Sequence, residues 1–401
     1  MRRAIVRMRK VPLLSSIVGV VASITPLGWA VASFGVVSLT AGIVGDWAEL
    51  VAMGIVALVV VLSALVWSIG RSGHRVTLSL ERTRVTVGER ALGELTVSNP
   101  TTRSLPPTMV ELPVGAGLAA FSAPRLGAGD NHSEPFGIAT HQRGIITVGP
   151  ATAVRGDALG LVRRTQTWSE STDLYIHPLT VSVNTTAIGF IRDVEGATTQ
   201  ELSSADVSFH ALRDYTPGDD RRNIHWKTTA RTGRLMVRQF EETRRAHLLL
   251  ILDLDRDAWF DEEEFEEGVS AAASLVVATM RGALEVSMLT QAGTLKAPTP
   301  TKALDSLSGV DRLDGAERLP ELARKAGAEV PQASVTVLIT GSKTSLATIH
   351  TAMTQMPLTM VVASVRLDDD GTLDLRTVGG FPVVSVPSLD DFGMAVRKAL
   401  G

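Results

Sequence analysis

Two long stretches without charge near the start of this 401-residue chain limit its fold more than any other feature. Val11 to Gly45 is 35 residues without Asp, Glu, Lys or Arg, and Leu50 to Gly70 is another 21. About 20 apolar residues cross the hydrocarbon of a bilayer as a helix, and lipid offers the backbone no partner but itself. The second run, LVAMGIVALVVVLSALVWSIG, is expected to be one span. The first is too long for one straight span, so Pro26 and Gly28 are expected to divide an interfacial or kinked part from a span near Leu27–Val44. A cleaved signal peptide fits less well. Arg2, Arg3, Arg7, Arg9 and Lys10 resemble its basic start, but the run exceeds the usual apolar core of about 7–15 residues and a second run follows at once. Both runs are apolar on every face, which argues against a buried soluble hairpin.

The basic flanks give an orientation. Five cations precede the first run, Arg71 and Arg75 follow the second, and Asp46 and Glu49 lie between them. The positive-inside rule then places both ends in the cytoplasm, with a short outer loop. This implies a multi-pass protein of the plasma membrane whose bulk is cytoplasmic. The chain has no cysteine, which excludes disulfides, thiolate catalysis and thiolate metal sites. Its formal net charge of −3 gives no global attraction to nucleic acid, and none is expected as a partner.

The rest reads as α+β and multidomain. After a membrane hairpin over residues 1–73, residues 75–180 alternate over short runs such as HRVTLSL, which sets Val76, Leu78 and Leu80 on one face. Turn signals such as Leu105-Pro106-Pro107 and Gly149-Pro150 break these runs, as in a small β-sandwich. Residues 246–401 alternate strand and helix. The apolar strand AHLLLILDLD is followed by the helix DEEEFEEGVSAAASLVVATMRG, whose acids crowd its positive end. Strands EVSMLT, SVTVLIT and LTMVVASV and a closing helix follow, as in a doubly wound α/β domain.

Between these parts, residues 186–245 hold the polar run RDYTPGDDRRNIHWKTTARTGRL. Over Arg213–Leu235 it carries seven basic residues (His225 among them), three aspartates, Tyr215, Trp226 and a Pro217-Gly218 turn. Arginine forks and aromatic faces suit an ion-pair and stacking network. The expectation is a segment bridging the two domains, with Tyr215 and Trp226 buried and Arg213, Arg222 and Arg231 paired to acids. An anion-binding module built on Arg213, Arg221, Arg222, Lys227, Arg231 and Arg234 is the alternative.

A second candidate is the acidic cluster Asp253, Asp255 and Asp257 at a strand's C-terminal end, where open α/β sheets bind ligands. It could offer hard oxygens to Mg²⁺ or Ca²⁺, or be a solvated loop. It could also imitate the nucleophile of haloacid-dehalogenase-like phosphatases through Asp253, although Lys343 lies too close to Thr340 for the remaining roles. His210, His225 and His247 lack ligand-like spacing. GSKTS at 341–345 lacks a P-loop core, and there is no G-x-S-x-G or H-E-x-x-H. No complete set of nucleophile, base and oxyanion donors is present, so no enzymatic activity is expected.

The signature resembles that of the domain of unknown function 58 family. The residues that carry the resemblance are Leu212, Arg213, Tyr215, Pro217, Gly218, Asp219, Asp220, Arg222, Ile224, Trp226, Ala230, Arg231, Gly233, Leu235 and Val237. It implies a bacterial membrane-anchored protein with a β-sandwich and a von Willebrand factor A-like domain. It also implies an adaptor role beside a MoxR-type AAA+ ATPase, often with a transglutaminase-like membrane protein, in complex assembly or cell-envelope maintenance. The metal site of such domains follows D-x-S-x-S with a later Asp before Gly. Here those places hold Asp253, Asp255, Asp257 and Thr340, so the site is altered or lost.

Overall fold

The computed structural model describes residues 23–68, 73–156, 159–183, 202–203, 208–241, 247–368 and 371–400. The basic N-terminus, residues 11–22, Arg71 and residues 184–201 lie outside them. The chain divides into two compact units. One holds Met1–His141 and Ile145–Tyr175, the other Gln142–Gly144 and Ile176–Gly401.

In the first unit, helix α1 spans Pro26–Val44 and α2 spans Ala48–Ser68. The Thr25 hydroxyl caps α1 by accepting from Gly28 N–H, and Pro26 needs no partner at the first helical position. Both helices are long and apolar enough to cross a membrane. Glycines let them meet closely. A Cβ on Gly54 would stand 2.6 Å from Leu39 N, and one on Gly42 would stand 2.7 Å from Val51 N. Small residues at such contacts are how apolar helices pack where lipid removes the hydrophobic drive. Val37, Ile43, Val56, Val59 and Leu62 remain exposed.

The unit's strands are β1 (Arg75–Leu80), β2 (Arg84–Thr86), β3 (Ala91–Ser98), β4 (Thr108–Val114), β5 (Gly117–Ala123), β6 (Asn131–Ile138), β7 (Gly144–Val148), β8 (Thr152–Gly156), β9 (Arg163–Thr167) and β10 (Thr172–His177). They form a three-stranded sheet, β1-β3-β6, and a seven-stranded one, β2-β10-β7-β4-β8-β9 with β5 beside β4. In β3, Ala91, Gly93, Leu95 and Val97 are buried while the residues alternating with them are not, which is the period of a strand with one dry face.

In the second unit, β11 (Leu202–Ser203), β12 (Ser208–Asp214) and β13 (Met236–Glu241) make a small antiparallel sheet carrying the signature. Helix α3 (Trp226–Thr232) lies between β12 and β13 in sequence and ends on Gly233, whose φ of 69° needs a residue without Cβ.

The remaining elements are β14 (His247–Leu252), α4 (Glu262–Arg281), β15 (Glu285–Thr290), β16 (Gly293–Leu295), α5 (Pro300–Ser308), α6 (Leu319–Glu329), β17 (Val335–Thr340), α7 (Leu346–Thr354), β18 (Val361–Leu367), β19 (Asp374–Val378), β20 (Phe381–Val386) and α8 (Phe392–Leu400). The strand order is β16-β15-β14-β17-β18-β20-β19. The inner five strands are parallel, and the edge strands β16 and β19 are antiparallel.

Alternation along β14 explains the layers. Leu248, Leu250 and Leu252 face a core with Phe265, Val269 and Val276 of α4 and Phe392 of α8. Leu249 and Ile251 face the other way, against Leu322 and Ala326 of α6 and Ile349 and Met353 of α7. A strand buried on both faces must be apolar at every position, and all six residues of β14 are buried. Counting parallel strands in chain order gives 2-1-3-4-5, a doubly wound arrangement whose direction reverses between β14 and β17.

Candidate functional site

The reversal sends the chain from β14 to one face of the sheet and from β17 toward the other, so a crevice opens at their C-terminal ends. Asp253 follows β14 and Thr340 ends β17. The Asp253 carboxylate is 2% exposed. Its Oδ1 accepts from Gln291 Nε2 at 2.6 Å and from the Asp255 amide at 3.1 Å, and its Oδ2 accepts from the Thr340 hydroxyl at 2.9 Å. The Thr340 hydroxyl also meets Thr344 Oγ1 at 2.7 Å. Burial pushes the Asp253 carboxyl above its ordinary pKa, and these donors pull against that rise.

A second side chain holds the crevice loops together. Asp261 caps α4 by accepting from Glu264 N–H at 2.9 Å. Buried Glu264 in turn accepts from the Phe260 amide and, at 2.7 Å, from the Ser342 amide. The loop after β14 and the loop after β17 are thereby joined through one carboxylate. Trp259 is 1% exposed and donates its Nε1–H to the Asp253 carbonyl at 3.0 Å, with its ring edge-on to Phe265. Gly341 must lack a side chain, because a Cβ there would stand 2.8 Å from Trp259 Cα.

Above this network lies an open hollow of about 480 Å³, lined by Asp253, Asp255, Asp257, Arg318 and Lys343 together with Thr344, Ser345 and Thr348. Phe260 is 68% exposed on the same crest, with the Lys343 ammonium 5.5 Å from its ring centre. The three aspartates expected as a cluster therefore do share one hollow. They form a staircase rather than a cage: the Asp255 side chain accepts from the Asp257 amide at 3.2 Å. Among the described residues no three His, Asp or Glu side chains converge as a metal-binding group. The three donors occupy most, but not all, of the roughly four acceptor positions of the Asp253 carboxylate.

In the signature, the expected pairing of Arg213 to an acid is present, while other expected positions depart. Arg213 makes a two-pronged ion pair with Asp219, at 2.7 and 2.6 Å, and Asp219 also accepts from the Thr216 amide. The hydrogen bond with Arg213 holds the Asp219 carboxyl below its ordinary pKa. Asp220 caps the turn Arg221–Asn223 through the Arg222 amide. Pro217, Gly218 (φ of 114°), Asp219 and Asp220 thus build the turn itself.

Trp226, expected to be buried, is 65% exposed, and Tyr215 is half-buried. Arg222 and Arg231, expected to be paired, are exposed with no ion pair among the described residues. The reason is size. Helix α3 has seven residues over a short hairpin, and what it buries is Ile224 against Val237. Ala230, Gly233 and Leu235 are exposed as well. His225 caps α3 through Thr228, and His247 meets Ser287 Oγ at 2.9 Å.

Sequence reading missed Glu264, Gln291 and Arg366. The spacing Asp261-x-x-Glu264 ahead of an apolar run was a legible capping signal. Gln291, 38 residues from Asp253, gave none. Arg366, which donates to the Ser342 carbonyl, gave none either.

The second unit is thus an α/β layer with an open crevice at its switch point, preceded in the chain by a compact signature sheet. The family model described as "Protein of unknown function DUF58" matches residues 211–354, from the signature to the last residue of α7, and over that stretch the chain resembles this family. The "Uncharacterized protein YeaD" of Bacillus subtilis (strain 168) is 30% identical over 128 residues, 31% of this chain and 31% of that protein. The match therefore spans about a third of the relative's length. Among solved structures, the CARDB domain of the PF1109 protein from Pyrococcus furiosus aligns with 26% of this chain and 86% of its own, at 19% identity and a TM-score of 0.20. A β-glucosidase from Listeria innocua aligns with 27% of this chain and 16% of its own, at 12% identity and a TM-score of 0.19. Likenesses this slight support no conclusion about fold or activity.

Proposed function

We propose that the chain is a membrane-anchored, non-enzymatic adaptor whose crest at the switch point receives a partner protein. The observation that carries this reading is the state of Asp253. A carboxyl attacks in its ionised form, and here burial favours the protonated form of a group already held by three donors. What the crest leaves open is a rim of both charge signs with an exposed aromatic, Phe260, beside it. Aromatic anchors ringed by polar groups are the usual energetic centres of protein interfaces.

Two further observations support the anchor. The helices of 19 and 21 residues are about 28 and 32 Å long at the usual rise, which matches a bilayer core of about 30 Å. Exposed Trp29 lies near the start of α1 and exposed Trp47 in the turn between the helices, one toward each end, as tryptophans at the two membrane faces would be. In this reading the pair is a plasma-membrane hairpin with Asp46 and Glu49 outside and the bulk of the chain cytoplasmic. The parallel order with antiparallel β16 at one edge supports a von Willebrand factor A-like domain, one working through side chains rather than a bound cation. The family resemblance supports a MoxR-type AAA+ ATPase as the partner, with a transglutaminase-like membrane protein as a further member.

The test is recovery of partners on the tagged full chain from detergent-solubilised native membranes. The ATPase is expected with wild type and lost with Phe260→Ser combined with Lys343→Glu, while Leu375→Ser on edge strand β19 retains it. Failure to recover any AAA+ ATPase, with or without Mg²⁺, would count decisively against the reading.

A further inference from the structure

The first unit has a feature the adaptor reading does not use. The chain entering α1 forms a short antiparallel bridge with the loop before β9: Ile24 pairs with Val162, Thr25 N–H donates to the Leu161 carbonyl at 3.0 Å, and Arg163 N–H donates to the Ser23 carbonyl at 2.7 Å. The Thr25 hydroxyl also donates to the Gly160 carbonyl at 2.7 Å. Leu161 and Val162 are then buried against Val61 and Ala64 of α2, with Val31 and Ala32 of α1 beside them. The fit is close: the Leu161 carbonyl leaves no room for a side chain at Gly28.

These contacts fix a depth. Val61 and Ala64 lie seven and four residues before Ser68, the last residue of α2. At the usual rise that is about 10 and 6 Å below the helix end. Gly28 lies about 3 Å into α1 by the same measure. Two helices whose lengths equal the hydrocarbon thickness leave no apolar length to spare, so a loop packed that far along them sits at the boundary of acyl chains and headgroups. Lipid at that level tolerates non-helical backbone only where its polar groups are satisfied by protein. The Gly160 and Leu161 carbonyls and the Arg163 amide are satisfied in that way. Next to them in the chain, Leu159 is an apolar side chain left 62% exposed.

We infer that the loop Leu159–Val162 is a membrane-seated wedge, with Leu159 inserted among the lipids that surround the two helices, so that the first unit stands on the bilayer through this contact as well as through its anchor. The inference rests on the reading of α1 and α2 as spans. It predicts a contact with phospholipid rather than with another protein chain.

Because the chain has no cysteine, single sites can be labelled without background. The experiment places a nitroxide at Leu159→Cys, Val59→Cys and Leu118→Cys of the full chain in nanodiscs of phosphatidylcholine and phosphatidylglycerol. It compares collisions with oxygen, which concentrates in lipid, and with a water-soluble nickel chelate. Val59, exposed in the middle of α2, reports the spans, and Leu118, exposed on β5, reports water. The expected result is a collision ratio at Leu159 reversed relative to Leu118 and intermediate between Leu118 and Val59. A Leu159 ratio equal to that of Leu118, with Val59 in lipid, overturns the wedge and leaves the anchor standing. A water-like ratio at Val59 overturns both.

Discussion

Replacing Asp253 with alanine is expected to destabilise the α/β layer by about 3 kcal/mol or more, whereas Asp253→Asn leaves it as stable as wild type, or more so, at neutral pH. Alanine strands the Gln291 amide, the Asp255 N–H and the Thr340 hydroxyl in a buried setting. Each orphaned group costs about 1–3 kcal/mol. Asparagine keeps one oxygen for Gln291 and the Asp255 amide and offers an N–H to Thr340, whose hydroxyl can then donate to Thr344. It also removes a carboxyl that burial has pushed above its usual 3.8.

The pH dependence follows from that direction. Between 3.8 and the raised folded value, the folded state holds a proton the unfolded state has released. Its advantage therefore falls as pH rises through this window and levels off above it. The Asp253→Asn variant lacks this slope, so its stability relative to wild type should rise with pH from near 3.8 upward. Hydrogen exchange on β14 and β17 amides across pH reads the local opening free energy directly. A variant that loses protection at neutral pH as the alanine one does would show that the carboxylate charge is needed, as in a cation site.

The second large effect is expected from Trp259→Ala, a loss of about 3–5 kcal/mol, the usual cost of emptying a buried aromatic site. The ring packs edge-on against Phe265. Gly268 and Gly341 leave it the space their own side chains would have taken. Its N–H also fixes the Asp253 carbonyl. The loss should appear as a lower denaturant midpoint for the β14 and β17 amides, with the signature hairpin unaffected. Trp259→Phe should fall between, because it keeps most of the volume and forfeits the hydrogen bond. An alanine variant as stable as wild type would mean that Trp259 does not organise the crest.

The helices, the doubly wound layer and the acidic crest could be read from the chain because each rests on local pattern. Pro26 after Thr25 marks a helix start, and the unbroken apolar run of β14 marks a strand covered on both faces. The hairpin of β19 and β20 was missed although Gly379-Gly380 between two β-prone runs announces it. The partners of Asp253 lie 38 and 87 residues away and belong to sheet order, which no local spacing encodes. The signature misled for a different reason. Composition gives a segment's preference for aromatic and cationic contact but not which side of a seven-residue helix Trp226 occupies. Its outward position needed the hairpin's small core, Ile224 on Val237, to be known first.

Site-specific photo-cross-linking in intact membranes tests the adaptor account most directly. A photoreactive residue is placed at Phe260 on the crest, and in a separate chain at Trp226 on the signature helix. Both positions are about equally exposed, at 68% and 65%. The account predicts that the AAA+ ATPase cross-links from Phe260. Cross-linking from Trp226 alone would contradict it and move the partner site to the signature.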